Sequence, residues 1–230
     1  MFHAKEKMGY SVAIDGPAGA GKSTIAKKIA KEMSFIYVDT GAMYRAMALF
    51  LIRNNVGADE KEKIEEICKE AKITIEYRDG EQVVLLDGEN VNGLIRTEEV
   101  GNMASASSVN GEVRKKLVAL QQELAKSAEV IMDGRDIGTC VLPDAICKIY
   151  LTASVETRAL RRLNELQEKG MAADLEVIKK DIADRDYRDM NRDVSPLKQA
   201  DDAVLVDSSD MGIEEVTEKI ISIFKEKAGK

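Results

Sequence analysis

The sequence predicts an α/β fold. Short β-prone runs alternate with longer stretches in which apolar residues recur every three or four positions, the pattern of strands joined by helical crossovers. The first strand-to-helix junction is Gly16-Pro17-Ala18-Gly19-Ala20-Gly21-Lys22-Ser23: glycine, four residues, glycine, lysine, serine. A block in the first half breaks the alternation, its apolar period changing from helical to two.

In chain order, Tyr10-Ser11-Val12-Ala13-Ile14-Asp15 reads as a strand, and Ile25, Ile29 and Met33 mark a helix behind the glycines. Strand, loop and helix are the context a phosphate loop requires. Gly16, Gly19 and Gly21 let consecutive amides point inward, and the loop opens on a helix N-terminus that favours anions. Gly16, Pro17, Ala18, Gly19, Ala20, Gly21, Lys22, Ser23 and Thr24 are therefore the expected ATP-binding residues. Lys22 supplies a point charge for the outer phosphates, and the Ser23 hydroxyl is a candidate Mg²⁺ ligand.

Residues 35–38 form a second expected strand ending at Asp39-Thr40-Gly41. The next helix has Met43, Met47, Phe50 and Leu51 on its apolar side, which puts Tyr44 and Arg45 in its first turn. An arginine there opposes the helix dipole, so Arg45 points to a nearby anion. Residues 59–71 read as a charged amphipathic helix with Ile64, Ile67 and Ala71 facing inward. Ile73, Ile75 and Tyr77 then alternate with polar residues, and turns at Asp79-Gly80 and Asp87-Gly88 complete an antiparallel meander. Residues 60–104 are read as a subdomain inserted outside the main sheet.

Residues 112–126 form a helix with Val113, Leu117, Leu120 and Leu124 on one stripe. Val130-Ile131-Met132 is a buried-strand run ending at Asp133-Gly134-Arg135-Asp136, and a strand-end aspartate such as Asp133 suits Mg²⁺. A strand over 146–151 leads to a long helix on which Arg158, Arg161 and Arg162 share a face, and Gly170 breaks it. On a second helix, 174–191, Arg185, Asp189 and Arg192 also share a face. Two arginine-bearing helices joined at a glycine read as a hinged lid over phosphates, about 156–192. A strand at 203–206 and a helix with Ile213, Val216, Ile220 and Phe224 on its core face close the chain.

Composition narrows the function. The 230 residues are enough for one domain with a substantial core, expected over 9–230, with residues 1–8 a leader expected to be disordered. No apolar run suits a membrane span or signal peptide, so a cytoplasmic protein is expected. Cys68, Cys140 and Cys147 lack metal-ligand spacing and read as reduced, mostly buried thiols. His3, the single histidine, lies in the leader, which excludes a histidine-based triad. A net charge of −7 disfavours non-specific nucleic-acid or membrane binding. Yet seven of the twelve arginines fall between residues 133 and 192, where they suit local phosphate handling. A phosphate loop, a strand-end aspartate and convergent arginines fit phosphoryl transfer to a small anionic acceptor. No Asn-Lys-x-Asp guanine reader occurs, and scarce aromatics argue against a stacking surface for single strands.

These residues resemble a family, the bacterial-type cytidylate kinases among the nucleoside monophosphate kinases. The resemblance rests on the stretch from Ile14 to Ser23, Asp39-Thr40-Gly41-Ala42-Met43-Tyr44-Arg45, Ile95-Arg96-Thr97-Glu98-Glu99-Val100, Asp133-Gly134-Arg135-Asp136-Ile137-Gly138-Thr139, and Arg185-Asp186-Tyr187-Arg188-Asp189-Met190-Asn191-Arg192. It implies a P-loop NTPase-type three-layer fold with a five-stranded parallel sheet, a small antiparallel nucleotide-binding insert and a helical lid. It also implies transfer of the γ-phosphoryl group of Mg·ATP to CMP or dCMP, giving ADP and the diphosphate, in pyrimidine nucleotide metabolism. Thr40, Arg114, Asp136 and Arg192 then read cytosine. Ser105, Arg185 and Asp189 contact the sugar, Arg45 and Arg135 the acceptor phosphate, and Tyr44 belongs to the same substrate set. Lys22, Arg135, Arg158, Arg161 and Arg162 are the implied catalytic cations, and Ser23 and Asp133 the implied metal ligands. Thr40 stands where the family often has serine, keeping the hydroxyl and adding a methyl. A monomer is the expected state, since the assigned helices leave no apolar stripe uncovered.

Overall fold

The computed structural model describes residues 9–229, so His3 and the expectation for residues 1–8 lie outside the described residues. Five parallel strands form the main sheet: β1 (Ser11–Asp15), β2 (Ile36–Asp39), β6 (Val130–Gly134), β7 (Cys147–Thr152) and β8 (Val204–Asp207), in the order β2-β6-β1-β7-β8. The expected period of two is visible within β1. Val12 and Ile14 pack on one face with Ile25 and Ile29 of α1 (Lys22–Met33) and Val216, Ile220 and Phe224 of α8 (Ile213–Ala228). Ala13 packs on the other face with Met43, Met47 and Leu51 of α2 (Thr40–Arg53) and Val113 and Leu117 of α5 (Gly111–Ser127). A sheet covered on both faces needs continuous apolar strands, which is why Val130-Ile131-Met132 carries no polar residue. Phe224 meets Tyr10 and Phe35 edge-on, with ring centroids 5.6 Å apart in each case.

Between α2 and α5 lie α3 (Lys61–Ile67), a separate antiparallel sheet of β3 (Ile73–Arg78), β4 (Glu81–Leu86) and β5 (Glu89–Asn90), and α4 (Glu98–Ser107). Both turns of this sheet place an aspartate and then a glycine at positive φ, at Asp79-Gly80 and Asp87-Gly88, as two-residue hairpins require. The small sheet is tied to the large one at the end of β2. The Gln82 amide accepts from the Asp39 N–H at 2.9 Å and donates to the Asp39 carbonyl at 3.2 Å, and the Tyr77 hydroxyl donates to the Tyr37 carbonyl at 3.1 Å. After β7, α6 (Val155–Glu168) and α7 (Leu175–Asn191) form a helical hairpin with its own small core of Ala159, Ile178 and Ile182.

Four details differ from expectation. The helix expected over 59–71 spans only α3, and Ala71 is buried at the entry to β3 instead of on a helix face. Helix α4 was not anticipated: its buried positions Val100, Met103, Ala104 and Ser107 keep the helical spacing, but with alanine and serine among them they make no continuous apolar stripe. Ile213 is exposed, because the first turn of α8 precedes its contact with the sheet. Cys68 and Cys147 are buried thiols, but Cys140 is exposed. Among the described residues, no helix is long and apolar enough to cross a membrane.

Candidate active site

Parallel pairing brings three strand ends to one edge: Asp15 lies opposite Gly134, and Asp39 opposite Asp133. Ligands of open α/β sheets bind at the carboxyl ends of the strands. From Asp15 the chain turns through Gly16 at φ 151°, where a Cβ would lie 1.9 Å from the Leu151 carbonyl oxygen, so only glycine fits. The loop reaches the N-terminus of α1 with Gly21 left-handed at its cap. Lys22 is buried and donates to the Pro17 carbonyl at 2.7 Å, closing the loop on itself. Burial and the neighbouring Arg135 push its ammonium well below the usual lysine range.

Ser23 Oγ donates to one oxygen of Asp133 at 2.9 Å, and the Tyr37 hydroxyl donates to the other at 2.8 Å. Burial, then Asp39, raise the Asp133 carboxyl above the ordinary carboxylate range despite Lys22 and both hydroxyls. A cation is the complement such a buried group calls for. Mg²⁺ is usually held by one or two protein oxygens together with waters and phosphate oxygens, and Ser23 with Asp133 fits that mode. Among the described residues no cluster of three or more acidic, histidine or cysteine side chains forms a closed cage.

Beyond the loop lies an open cavity of about 240 Å³ lined by Lys22 and six arginines: Arg45, Arg96, Arg114, Arg135, Arg185 and Arg192. Four aspartates face them, Asp39, Asp133, Asp136 and Asp189, and Ala18, Gly19, Ser23, Thr40, Tyr44 and Ser105 complete much of the wall. Cations outnumber carboxylates, so the cavity suits an anion. Asp136 is buried and ion-paired with Arg114, and its other oxygen lies 3.7 Å from Arg192 Nη2. Arg192 is anchored by its Nε, which donates to the Ser195 carbonyl at 2.6 Å. The Arg114 guanidinium also sits over the Tyr44 ring at 5.8 Å. Thr40 Oγ1 donates to the Asp133 carbonyl at 2.7 Å.

Arg135 Nε donates to Asp189 at 2.7 Å, and Arg135 holds the Asp189 carboxyl below the ordinary range although burial opposes it. Burial and Arg135 lower Arg185 to about 10. Arg45 Nη1 donates to the carbonyls of Ile95 at 3.0 Å and Thr97 at 3.4 Å, just ahead of α4. Three buried polar atoms of this wall have no hydrogen-bond partner among the described residues: the Tyr44 hydroxyl, Arg185 Nε and Arg192 Nη2. Buried donors are normally satisfied, so three orphans in one cavity point to a polar ligand. Burial pushes the Tyr44 hydroxyl up to about 12, so it stays a donor.

The expected residues thus divide. Every acceptor-side candidate lines the cavity, whereas Arg158, Arg161 and Arg162 do not. Buried Arg158 runs from α6 to the phosphate loop, donating to the carbonyls of Ala153 at 2.9 Å and Ala18 at 2.8 Å and pairing with Asp186 of α7 at 2.7 Å. Arg161 donates to the Ser208 carbonyl at 2.7 Å, with Nη1 3.9 Å from the place of a Cβ on Gly21. Exposed Arg162 pairs with Glu165 on its own helix at 3.3 Å. Two charged cavity residues were not anticipated, Asp39 and Arg96. Asp39 caps α2 through the Ala42 N–H at 2.9 Å and pairs with Arg96 at 2.6 Å. Both lie inside stretches that marked the resemblance, which was the signal available.

Comparison with known proteins is consistent with this geometry. The family model described as cytidylate kinase matches residues 12–226. A cytidylate kinase of Caldicellulosiruptor saccharolyticus is 51% identical over 219 residues, 95% of this chain and 97% of that one. One from Shouchella clausii is 48% identical over 218 residues, with the same coverage of both chains. Among solved structures, an uncharacterized protein from Eubacterium ventriosum superimposes over 94% of this chain and 98% of that one, with a TM-score of 0.53 at 12% identity, a likeness of fold alone. With the match running from β1 into α8 and half the aligned residues shared with such relatives, the chain belongs to the cytidylate kinase family.

Proposed function

We propose that this chain moves the γ-phosphoryl group of Mg·ATP to CMP or dCMP, with ATP on the phosphate loop from Gly16 to Thr24 and the acceptor in the arginine-lined cavity. The observation that carries the reading is the buried Asp136, held by Arg114 with Arg192 beside it. Cytosine presents an exocyclic amine that Asp136 accepts from, and a ring nitrogen and carbonyl that arginine donates to. Thr40 completes the base site. Ser105, Arg185 and Asp189 face the sugar, and Tyr44 belongs to the same acceptor site.

Arg45 and Arg135 hold the acceptor phosphate, whose oxygen is already a nucleophile and needs no strong base. Lys22 leaves the Pro17 carbonyl for the transferred phosphoryl, and the arginines neutralise the charge gathered as two phosphates are brought into line. Mg²⁺, held by Ser23 and Asp133, supplies further neutralisation of the ATP oxygens when bound. Residues 60–104 act as the acceptor-binding insert and 156–192 as a lid, in which Arg158, Arg161 and Arg162 serve the ATP side and closure excludes water. The chain works as a monomer in the cytoplasm.

The test is ADP formation from Mg·ATP with CMP, dCMP, UMP, AMP and shikimate offered separately, beside a control without acceptor. Selective turnover of CMP and dCMP is the expected result. Turnover of UMP or AMP alone would overturn the base reading, and ATP binding without acceptor-dependent turnover would overturn the kinase reading.

A further inference from the structure

Asp15 is the last residue of β1, it precedes the first glycine of the phosphate loop, and its carboxyl is buried away from the cavity wall. One oxygen accepts the Ile137 N–H at 2.8 Å and the other the Gly138 N–H at 2.7 Å, both charge-assisted and short. These are the opening amides of a single π-helical turn, Ile137–Val141, which begins directly after Asp136. The same turn holds Asp136 from the other side, since the Asp136 carbonyl accepts from Cys140 at 2.9 Å and Val141 at 3.2 Å. Asp136 itself has an irregular backbone, φ −147° and ψ 27°, which those contacts hold in place. Gly138 is tightly enclosed: a Cβ there would lie 3.2 Å from Lys148 Cδ and 3.4 Å from the Asp15 carboxylate.

Asp15 also carries a cost. Burial raises its carboxyl to about 6, with Asp136 adding to the rise, while the two amides and Lys22 oppose it. A neutral residue would avoid that cost but would not present a separate acceptor oxygen to each of the two N–H groups.

We propose that Asp15 is a positioning residue for acceptor-base recognition: by gripping the Ile137 and Gly138 amides it fixes the Asp136 carboxylate toward Arg114 and Arg192. This rests on Asp136 reading the acceptor base, as given above. Because Gly16 follows at once, the residue that starts the ATP loop also sets the base reader, which joins the two substrate sites through a single side chain.

The test is steady-state kinetics of the full chain with ATP and either CMP or UMP, for the wild type, Asp15→Asn, Asp136→Asn and the double variant. Asn keeps the shape but accepts with only one atom and turns a donor toward the second amide. Asp15→Asn is expected to lower the CMP-over-UMP ratio of kcat/KM about tenfold or more, the worth of a charge-assisted hydrogen bond. The loss falls mainly on KM for CMP, with KM for ATP close to wild type. In the double variant, the ratio falls no further than in Asp136→Asn alone. An unchanged ratio in Asp15→Asn, losses that multiply in the double variant, or a rise confined to KM for ATP would each overturn the inference. A wild type that does not prefer CMP would overturn the functional reading with it, and that outcome is seen before any variant is compared. If Asp15→Asn does not fold, Asp15→Ser, which removes the charge without adding an amide donor, carries the same comparison.

Discussion

Two regions of the site hold their cations differently. Beside Asp136, Asp189 and Asp39, the arginines Arg114, Arg135 and Arg96 are paired with carboxylates. Around the phosphate loop and ahead of α4, Lys22, Arg161 and Arg45 rest on the backbone carbonyls of Pro17, Ser208 and Ile95, and Arg158 holds two carbonyls besides Asp186. A carboxylate partner fixes a guanidinium before substrate arrives and leaves a shaped set of donors and acceptors to read a base. A neutral carbonyl is a weaker partner, so a cation resting on one is readily given up to phosphate. On the proposed reading, base selectivity is built into the carboxylate-held arginines, while charge neutralisation is assembled as the carbonyl-held cations turn to phosphate.

Lys22→Met breaks this contrast most severely. It should lower kcat by about 10²–10³-fold or more, as expected for loss of a preorganised cation at the transferring group. The residual CMP-over-UMP ratio should stay at the wild-type value, and the thermal melt should be unchanged. A folded Lys22→Met protein with wild-type turnover would remove the phosphate loop from the reaction.

A smaller effect is expected at the paired end from Asp189→Asn. Arg135 holds the Asp189 carboxyl below its unfolded value, so the pair stabilises the fold above the ordinary carboxylate range. That contribution is lost as pH falls through the lowered value. The variant should lose roughly 1 kcal/mol at neutral pH, the scale of one hydrogen bond, and the difference from wild type should shrink on acidification below about pH 4. Denaturant midpoints across that range check it. A difference that grows on acidification would contradict the pairing.

Local patterns in the sequence made most of the fold legible. Alternating strands and helices, the two Asp-Gly turns and Gly170 each act over a few residues, and the sheet and its separate meander followed from them. What escaped depended on distant partners. Helix α3 ends at Ile67 although its charge pattern runs on, because Ala71 is drawn into the core ahead of β3. Arg158, Arg161 and Arg162 do share one helix, but a shared face does not fix where long side chains end: the phosphate loop, Ser208 and Glu165 respectively. Most cavity residues were legible because they cluster within the stretches that carry the resemblance, as in Asp133-Gly134-Arg135-Asp136, whereas Ser105 and Arg114 lie outside them. Asp15 was visible only as the residue before a glycine. Its partners, Ile137 and Gly138, are more than a hundred positions away, and only the pairing of β1 with β6 brings them together.

The central claim is that the buried Asp136, with Arg114 and Arg192, reads cytosine. Its most direct measurement is the ratio of kcat/KM for CMP over UMP in the wild type and in Asp136→Asn. The account predicts a strong preference for CMP that falls by about 10–100-fold in the variant, the worth of one or two hydrogen bonds to a charged group. An equal ratio in the two proteins would contradict it and place base recognition elsewhere in the cavity.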